Sequence, residues 1–483
     1  MKVSLDIPRI ENTRVIFSWK TYGGEEFIKD STFYYDFGVS IDHLPRDYFD
    51  FLQVGILFSI WKDEKDVNLV SKYVISEEII SHWKKYWDFV GLTYNPPKLN
   101  IRNRIKTMFS KGKIRKNNAN KSKNVGLLFG GGKDSMMGAG ILDELIIDDR
   151  ELILLSFLHP NSLGTDFAKK LRDRRDKLVL EPVSKILNVD VKIIETDLLG
   201  RAKSQKVRYS PHIAIYSAAM PIISELFSIS EVYFNYEMPH YWVYEENSTY
   251  PTPYFSRSRP EYLDYSSIFI SKLLKKKFYF GNMSYSTNIH LHFKILENRY
   301  PNLWNITLTC ERKLSLSERY CHECHKCFFT LLFGLISDNL PVELDSNQLL
   351  SGPFFTEKIK QIIPEKGSVQ SKNTNYPSNV FGIFHQMDFT YWMTQIKPEN
   401  YSITEESKKN LLLLKTHFGN ETNEQVTKYY DESHKYLPSW FRLGFEEILN
   451  QYAEPSANPS TFYFNDKKVR FDFNYDSLFG YDN

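Results

Sequence analysis

Apolar positions in this chain change their spacing abruptly around residue 130. Residues 125–129 form a short apolar run, Gly130-Gly131-Gly132 interrupts it, and an Ala/Leu/Ile-containing stretch opens at Ser135. A run of that length bounded by glycines reads as a buried strand, and the stretch after it as a helix. Downstream, residues 152–158, 191–195 and 232–236 read as further strands. Between them, 163–187 read largely as helix, and 211–227 as a helix with proline near its first turn. Repeated strand–helix–strand units of this length predict an α/β fold with a doubly wound parallel sheet and right-handed crossovers. Ligands in such sheets sit outside the carboxyl ends of the strands, so the loops after Phe129, Leu158, Glu195 and Tyr236 are expected to face one site.

The flanks are patterned differently. Alternation at Val3, Leu5, Ile7 and at Phe33, Tyr35, Phe37, with a helical segment near 77–89 carrying Ile79, Ile80, Trp83 and Trp87, predicts an α+β amino-terminal domain over 1–100. Residues 101–123 are acid-free and basic, with Arg102, Arg104, Lys106, Lys111, Lys113, Arg115, Lys116, Lys121 and Lys123. Such a run reads as a solvated linker or as a phosphate-tracking surface for nucleic acid. Residues 287–300 predict an amphipathic helix with Ile289, Phe293, Leu296 and Tyr300 on one stripe and Thr287 or Asn288 as its cap. Residues 340–483 form a mostly helical extension, notably 405–417, closed by a strand pair at 460–464 and 467–473. The unit carrying the chemistry is then 124–335.

At 483 residues the chain is too long for one ordinary core, and 42% hydrophobic with 25% charged positions is a globular composition. A net charge of +2 selects no partner. Aromatic residues make up 15% of the chain, enough to supply cores or interfaces. The longest apolar runs, 51–61 and 328–336, fall short of the ~20 residues a membrane helix needs. No secretion signal is visible at the amino terminus, and the cytoplasm is the expected location.

Two stretches carry chemistry. Three successive glycines let backbone N–H groups approach an anion, and the positive end of the following helix favours one there. No Gly-Lys-Ser/Thr ends this loop and the third spaced glycine of the dinucleotide fingerprint is missing, so neither of those phosphate motifs applies. The second stretch holds all four cysteines, Cys310, Cys321, Cys324 and Cys327, at C-x10-C-x2-C-x2-C. Four thiolates at this spacing can close a tetrahedral structural site for Zn²⁺, with Cys310 reaching in from a preceding strand; an iron–sulfur cluster is the competing occupant. His322 and His325 are expected beside the ligands or in solvent. Arg201, Lys203, Lys206 and Arg208, then Glu237, His240 and Tyr241, then Arg257, Arg259 and Glu261 place charge on successive loops at strand ends.

Gly131, Gly132, Asp134 and Ser135 match the Ser-Gly-Gly-x-Asp-Ser loop of the PP-loop ATP pyrophosphatases, with Gly130 where those enzymes usually carry Ser. That loop, then Arg259-Pro260-Glu261-Tyr262, then the four cysteines, in this order within 124–333, resembles the 7-cyano-7-deazaguanine synthase (QueC) family of PP-loop enzymes. The resemblance implies an adenine nucleotide alpha hydrolase-like core with a zinc knuckle. It implies an enzyme that uses ATP and Mg²⁺ to adenylate the carboxylate of 7-carboxy-7-deazaguanine, after which an amine displaces AMP to give an amide or, after a second round, a nitrile. ATP is then expected on Phe129, Gly130, Gly131, Gly132, Lys133, Asp134 and Ser135. Asp134 would hold Mg²⁺ or fix the loop, Ser135 would cap the helix and donate to phosphate, and Arg208 and Arg259 would bind substrate or phosphate. Family members are usually shorter. Relatives with extra flanks occur in anti-phage gene clusters, which implies a partner protein as amine acceptor, docked on exposed aromatic residues of the flanks. A tRNA-modifying PP-loop enzyme using the basic 101–123 segment, and a non-catalytic nucleotide-binding scaffold, are the alternatives.

Overall fold

The computed structural model describes residues 2–23, 32–60, 67–91, 99–101, 123–147, 149–158, 165–198, 212–237, 242–244, 260–310, 315–341, 343–360, 386–419, 424–456, 461–464 and 467–471. The amino-terminal strands are β1 (Lys2–Leu5), β2 (Arg9–Glu11), β3 (Arg14–Tyr22), β4 (Thr32–Asp36), β5 (Val67–Ser71) and β6 (Leu99–Ile101). They are followed by β7 (Asn124–Leu128), β8 (Leu152–Leu158), β9 (Asp190–Thr196), β10 (Ile229–Phe234), β11 (Trp242–Tyr244) and β12 (Tyr279–Asn282). Ten of these run in the order β12-β10-β7-β8-β9-β4-β3-β1-β5-β6, with β2 beside β3, as one 11-stranded sheet. The five strands β12, β10, β7, β8 and β9 are all mutually parallel. β8, LILLSFL, is buried along its whole length, as parallel strands covered on both faces are. The fold is α/β with a mostly parallel central sheet, and four of the five central strands lie within three residues per end of the positions read from periodicity, whereas β12 was missed.

Side chains of the parallel strands alternate between two cores. Val125, Leu127, Leu154 and Tyr233 face a core built with the helices Lys133–Leu145, Ile289–Arg299 and His325–Ser337 and with carboxyl-terminal residues such as Trp392 and Phe441. Ile153, Leu155, Val232 and Phe234 face the other, built with the helices Arg46–Ile60, His212–Leu226 and Pro260–Leu274. Neither flank stands apart from the central sheet. β4 pairs antiparallel with β9 through Tyr35↔Thr196 and Asp36↔Glu195, so the amino-terminal strands extend the same sheet. Gly55 brings the helix Arg46–Ile60 so close to the helix His212–Leu226 that a Cβ there would fall 2.8 Å from the Ala218 Cβ.

The amino-terminal aromatics follow from this. Phe17, Trp19, Phe33, Tyr35, Phe51 and Trp83 are all buried and pack ring against ring, so these six are not exposed as docking anchors. The carboxyl-terminal region is helical at Gln386–Gln395, Glu405–Phe418 and Ser439–Asn450. β13 (Lys428–Tyr430) pairs with β14 (Glu454–Ser456), and β15 (Thr461–Phe464) pairs antiparallel with β16 (Lys467–Phe471), which in turn holds β11. Among the described residues no helix is long and apolar enough to cross a membrane. The basic segment falls outside the described residues except at Ile101 and Lys123.

Candidate functional site at the sheet switch point

β7 leads into β8 and β9 on one side, whereas β10 and β12 lie on its other side, so strand order reverses between β7 and β10. In open α/β sheets a crevice opens outside the strand ends at such a point. The glycine loop leaves β7 there, and Asn235 and Glu237 leave β10 there. Gly131 takes φ +80°, in the left-handed region, and a Cβ on it would lie 2.5 Å from Val179 Cγ1, so both conformation and space require glycine. The helix begins at Lys133 with Gly132 as its N-cap, two residues before the sequence places it. Ser135 is therefore not the cap. It sits on the third helical position, where its Oγ accepts the N–H groups of Gly130 (3.3 Å) and Gly131 (2.9 Å) and donates to Gly132 O (3.2 Å). These are loop donors that an anion would take.

Four charged or titratable groups meet at the crevice. Lys133 Nζ lies 2.7 and 2.8 Å from the two Asp134 carboxylate oxygens and 2.9 Å from Glu237 Oε1, bridging the loop after β7 to the loop after β10. Burial disfavours the lysine charge, but Asp134 and Glu237 outweigh it and hold the Lys133 pKa above the ordinary lysine value. His292 is fully buried; its Nδ1 is 2.6 Å from Asp134 Oδ1 and its Nε2 is 2.6 Å from Thr287 Oγ1. The Asn235 amide donates to the Asp134 carbonyl. Asp134, Glu237 and His292 each offer a ligand atom, all within 4.8 Å of one another. Asp388, from the carboxyl-terminal region, is fully buried nearby. It accepts His290 N–H at 2.8 Å, and burial, reinforced by the Glu237 charge, pushes its carboxyl up to about 7.

Of the residues expected to bind nucleotide, Gly130, Gly131, Gly132, Lys133, Asp134 and Ser135 line this loop. Phe129 is buried, and its carbonyl accepts a 2.6 Å hydrogen bond from Arg175. Arg208 and Arg259, with Arg201, Lys203, Lys206, His240, Tyr241, Arg257 and the side chain of Glu261, lie outside the described residues. His292, Thr287, Asn235 and Asp388 were missed. The available signal was two histidines, His290 and His292, inside the apolar helix Ile289–Arg299, whose cap is indeed Asn288, accepting from Leu291 N at 3.0 Å.

The four cysteines converge. All are buried and unbridged, and their sulfurs lie within 4.8 Å of one another, so the group could hold a metal ion such as zinc. Cys324 caps the helix His325–Ser337, which places Cys327 on its first turn. Cys310 does not come from a strand: it follows the short helix Pro301–Ile306 on an extended segment whose Leu308 N–H donates to Gly131 O at 2.9 Å. That bond replaces strand pairing and joins the cysteine segment to the glycine loop. Arg174, 2% exposed, donates to the carbonyls of Cys310 and Ser315 (3.1 Å each) and of Glu318 and Arg319 (3.0 Å each), fixing the turn that carries the ligands.

Comparison of the chain with models of known protein families and with curated proteins finds no match. Replacing Arg174 by Met leaves four carbonyls short of a donor and is expected to cost on the order of 3 kcal/mol. The variant should unfold at lower temperature and hold added zinc less tightly than the parent, both measured on purified protein.

Proposed function

We propose that this chain is an AMP-forming PP-loop enzyme of the QueC kind, which activates the carboxylate of 7-carboxy-7-deazaguanine or a close analogue with ATP and passes the acyl group to an amine. The observation that carries this reading is the glycine loop, with its serine-held amides and its Lys133–Asp134–Glu237 bridge, set at the switch point of a parallel sheet. A carboxylate is a poor electrophile until one oxygen becomes a leaving group. In the proposed reaction that oxygen attacks the α-phosphorus of ATP, the bond to the β-phosphate oxygen breaks, and pyrophosphate leaves. The amine nitrogen then attacks the acyl carbon, AMP departs, and the nitrogen loses a proton, giving an amide. A second activation of the amide oxygen, with loss of AMP and protons, gives the nitrile.

The protein's part is alignment and charge. The loop amides and the start of the helix Lys133–Leu145 would receive the pyrophosphate portion, with Lys133 as its cation, and Ser135 would exchange its contacts with the loop for contact with phosphate. Mg²⁺ accompanies the nucleotide in this reading and offsets phosphate charge, with Asp134 as the nearest loop carboxylate. Arg208 and Arg259 are assigned to substrate or phosphate from their place in the sequence. The four cysteines are assigned to one structural Zn²⁺, which leaves no open coordination position. The acceptor amine is assigned to a partner protein of an anti-phage system, with ammonia as the competing acceptor.

Chromatography of the nucleotide products tests the chemistry. AMP and pyrophosphate are expected; ADP as the main product would overturn the reading. Asp134→Ala should abolish AMP formation without unfolding the chain.

Metal analysis tests the cysteine assignment, with one zinc per chain expected and iron with acid-labile sulfide as the refuting result. Cys324→Ser should misfold, because metal binding at such a site is part of folding free energy.

The acceptor is tested by incubating the enzyme, ATP and the deazaguanine acid with the protein encoded beside it and weighing that protein intact. A mass increase equal to the acyl group is expected. An unchanged partner mass while free nitrile accumulates would return the acceptor to ammonia.

A further inference from the structure

Asp134, Glu237 and His292 do more than brace one another. We infer that they form a binding site for a divalent first-row transition-metal ion, with two carboxylate oxygens and one imidazole nitrogen as protein ligands, distinct from the four-cysteine group. This goes beyond the carboxylate-activation reading and does not depend on it, because the ligands are in place without nucleotide.

The spacing of the cluster suits a cation, since its three ligand atoms lie within 4.8 Å of one another. Thr287 Oγ1 donates its single proton to Ser284 O at 2.9 Å, so it meets His292 Nε2, 2.6 Å away, as an acceptor. With Nε2 turned to that hydroxyl, Nδ1 is the ring nitrogen that faces Asp134 Oδ1, at 2.6 Å, where a ligand atom would sit. A metal ion held by both atoms, or a proton on Nδ1, satisfies this contact, and the Mn²⁺ test below separates the two. A histidine whose far nitrogen donates to a fixed oxygen is also the usual arrangement behind a metal-bound imidazole, since the outer hydrogen bond sets tautomer and ring orientation. A second observation is independent of the histidine. Asp388 is fully buried, senses the charges of Glu237 and Lys133, and its Oδ2 has no hydrogen-bond partner among the described residues. Asn235, which grips the Asp134 backbone, likewise leaves its buried Oδ1 without a donor. Each buried acceptor left unpaired costs free energy.

Lys133 supplies one cation, lying against the carboxylate edges that an ion would use. It keeps Asp134 and Glu237 at ligand spacing, and it competes with the ion for them. The donor set decides the metal class. Mg²⁺ prefers oxygen ligands and keeps several of its waters. Imidazole suits the first-row transition ions, and carboxylates suit Mn²⁺ within that row.

The test uses the full-length, zinc-retaining protein without nucleotide, with Mn²⁺ as probe and electron paramagnetic resonance as readout. One Mn²⁺ should bind per chain, resist displacement by an equal concentration of Mg²⁺, and show nitrogen-14 modulation from the imidazole. Glu237→Gln should weaken binding at least ~10-fold, and Thr287→Val, which removes the oxygen behind the ring, about 10-fold. Lys133→Met removes the competing ammonium, so it should bind Mn²⁺ more tightly than the parent and gain more thermal stability from it. His292→Gln should abolish the nitrogen signal; should that variant not fold, the other three decide. No bound Mn²⁺, or bound Mn²⁺ without nitrogen modulation and indifferent to Glu237→Gln and Lys133→Met, would overturn the site. AMP formation, measured separately, stands or falls on its own.

Discussion

The contact on which most of this molecule depends is that between Gly131 and the segment leading to Cys310. Gly131 O accepts the Leu308 N–H, and the space where its side chain would be is filled by Val179. Val179 belongs to the π-helical turn Asp176–Leu180, directly after two arginines with divided duties. Arg174 holds the carbonyls around the cysteines, while Arg175 reaches Phe129 O and Phe157 O at the ends of β7 and β8. Arg319 closes the circuit by donating to Leu178 O and Ile306 O. A glycine loop alone is a compliant structure. Here its conformation is set by the same residues that set the cysteine turn, so order at the cysteine group is transmitted to the loop through packed backbone.

Charge placed this deep has to be balanced locally, because the interior screens it poorly. Lys133 balances Asp134 and Glu237, and Thr287 orients His292. The carboxyl-terminal region supplies the rest. Asp388 holds His290 N–H, Trp392 Nε1 donates to His290 Nδ1 at 3.2 Å, and Tyr430 N–H donates to Ser286 O at 3.0 Å. His434 Nε2 meets Ser286 Oγ at 2.7 Å, and Asn288 Nδ2 reaches Val426 O at 2.9 Å. The turn bearing Thr287, and the helix bearing His292, are thus shaped from outside the central unit. The extension lacks any motif of its own because its contribution here is backbone hydrogen bonding and packing, which many sequences can supply.

The parallel strands were legible because burial on both faces leaves near-continuous apolar runs, and the glycine loop because only glycine serves at Gly131. The cysteines were legible because thiols in one short stretch have few other uses. What escaped reading was spatial. Glu237 and Asp134 stand 103 positions apart in the chain and meet only because strand order reverses between β7 and β10. β12 is four residues, YFGN, too short to register as an apolar run. His292 hid in a helix read for its apolar stripe alone. The cap assigned to Ser135 failed because Gly132, already extended at φ −79° and ψ 172°, can start the helix without a side-chain acceptor, freeing the serine hydroxyl for the loop.

The amino-terminal region shows why composition alone misleads about surfaces. Tyr22 stays half exposed, but a sheet that continues past β9 must cover its added strands with most of the region's aromatic residues. The rings of Phe17, Trp19, Phe33 and Tyr35 do so on the face shared with Phe51 and Trp83. The junction is specific as well as apolar: Tyr34 OH donates to Glu195 Oε1 at 2.6 Å and Tyr34 N–H to Asp197 Oδ1 at 2.8 Å, at the carboxyl end of β9. That end lies on the same rim of the parallel sheet as the glycine loop. The amino-terminal strands therefore close the edge that β9 would otherwise expose, and Tyr34 holds Asp197 at its end.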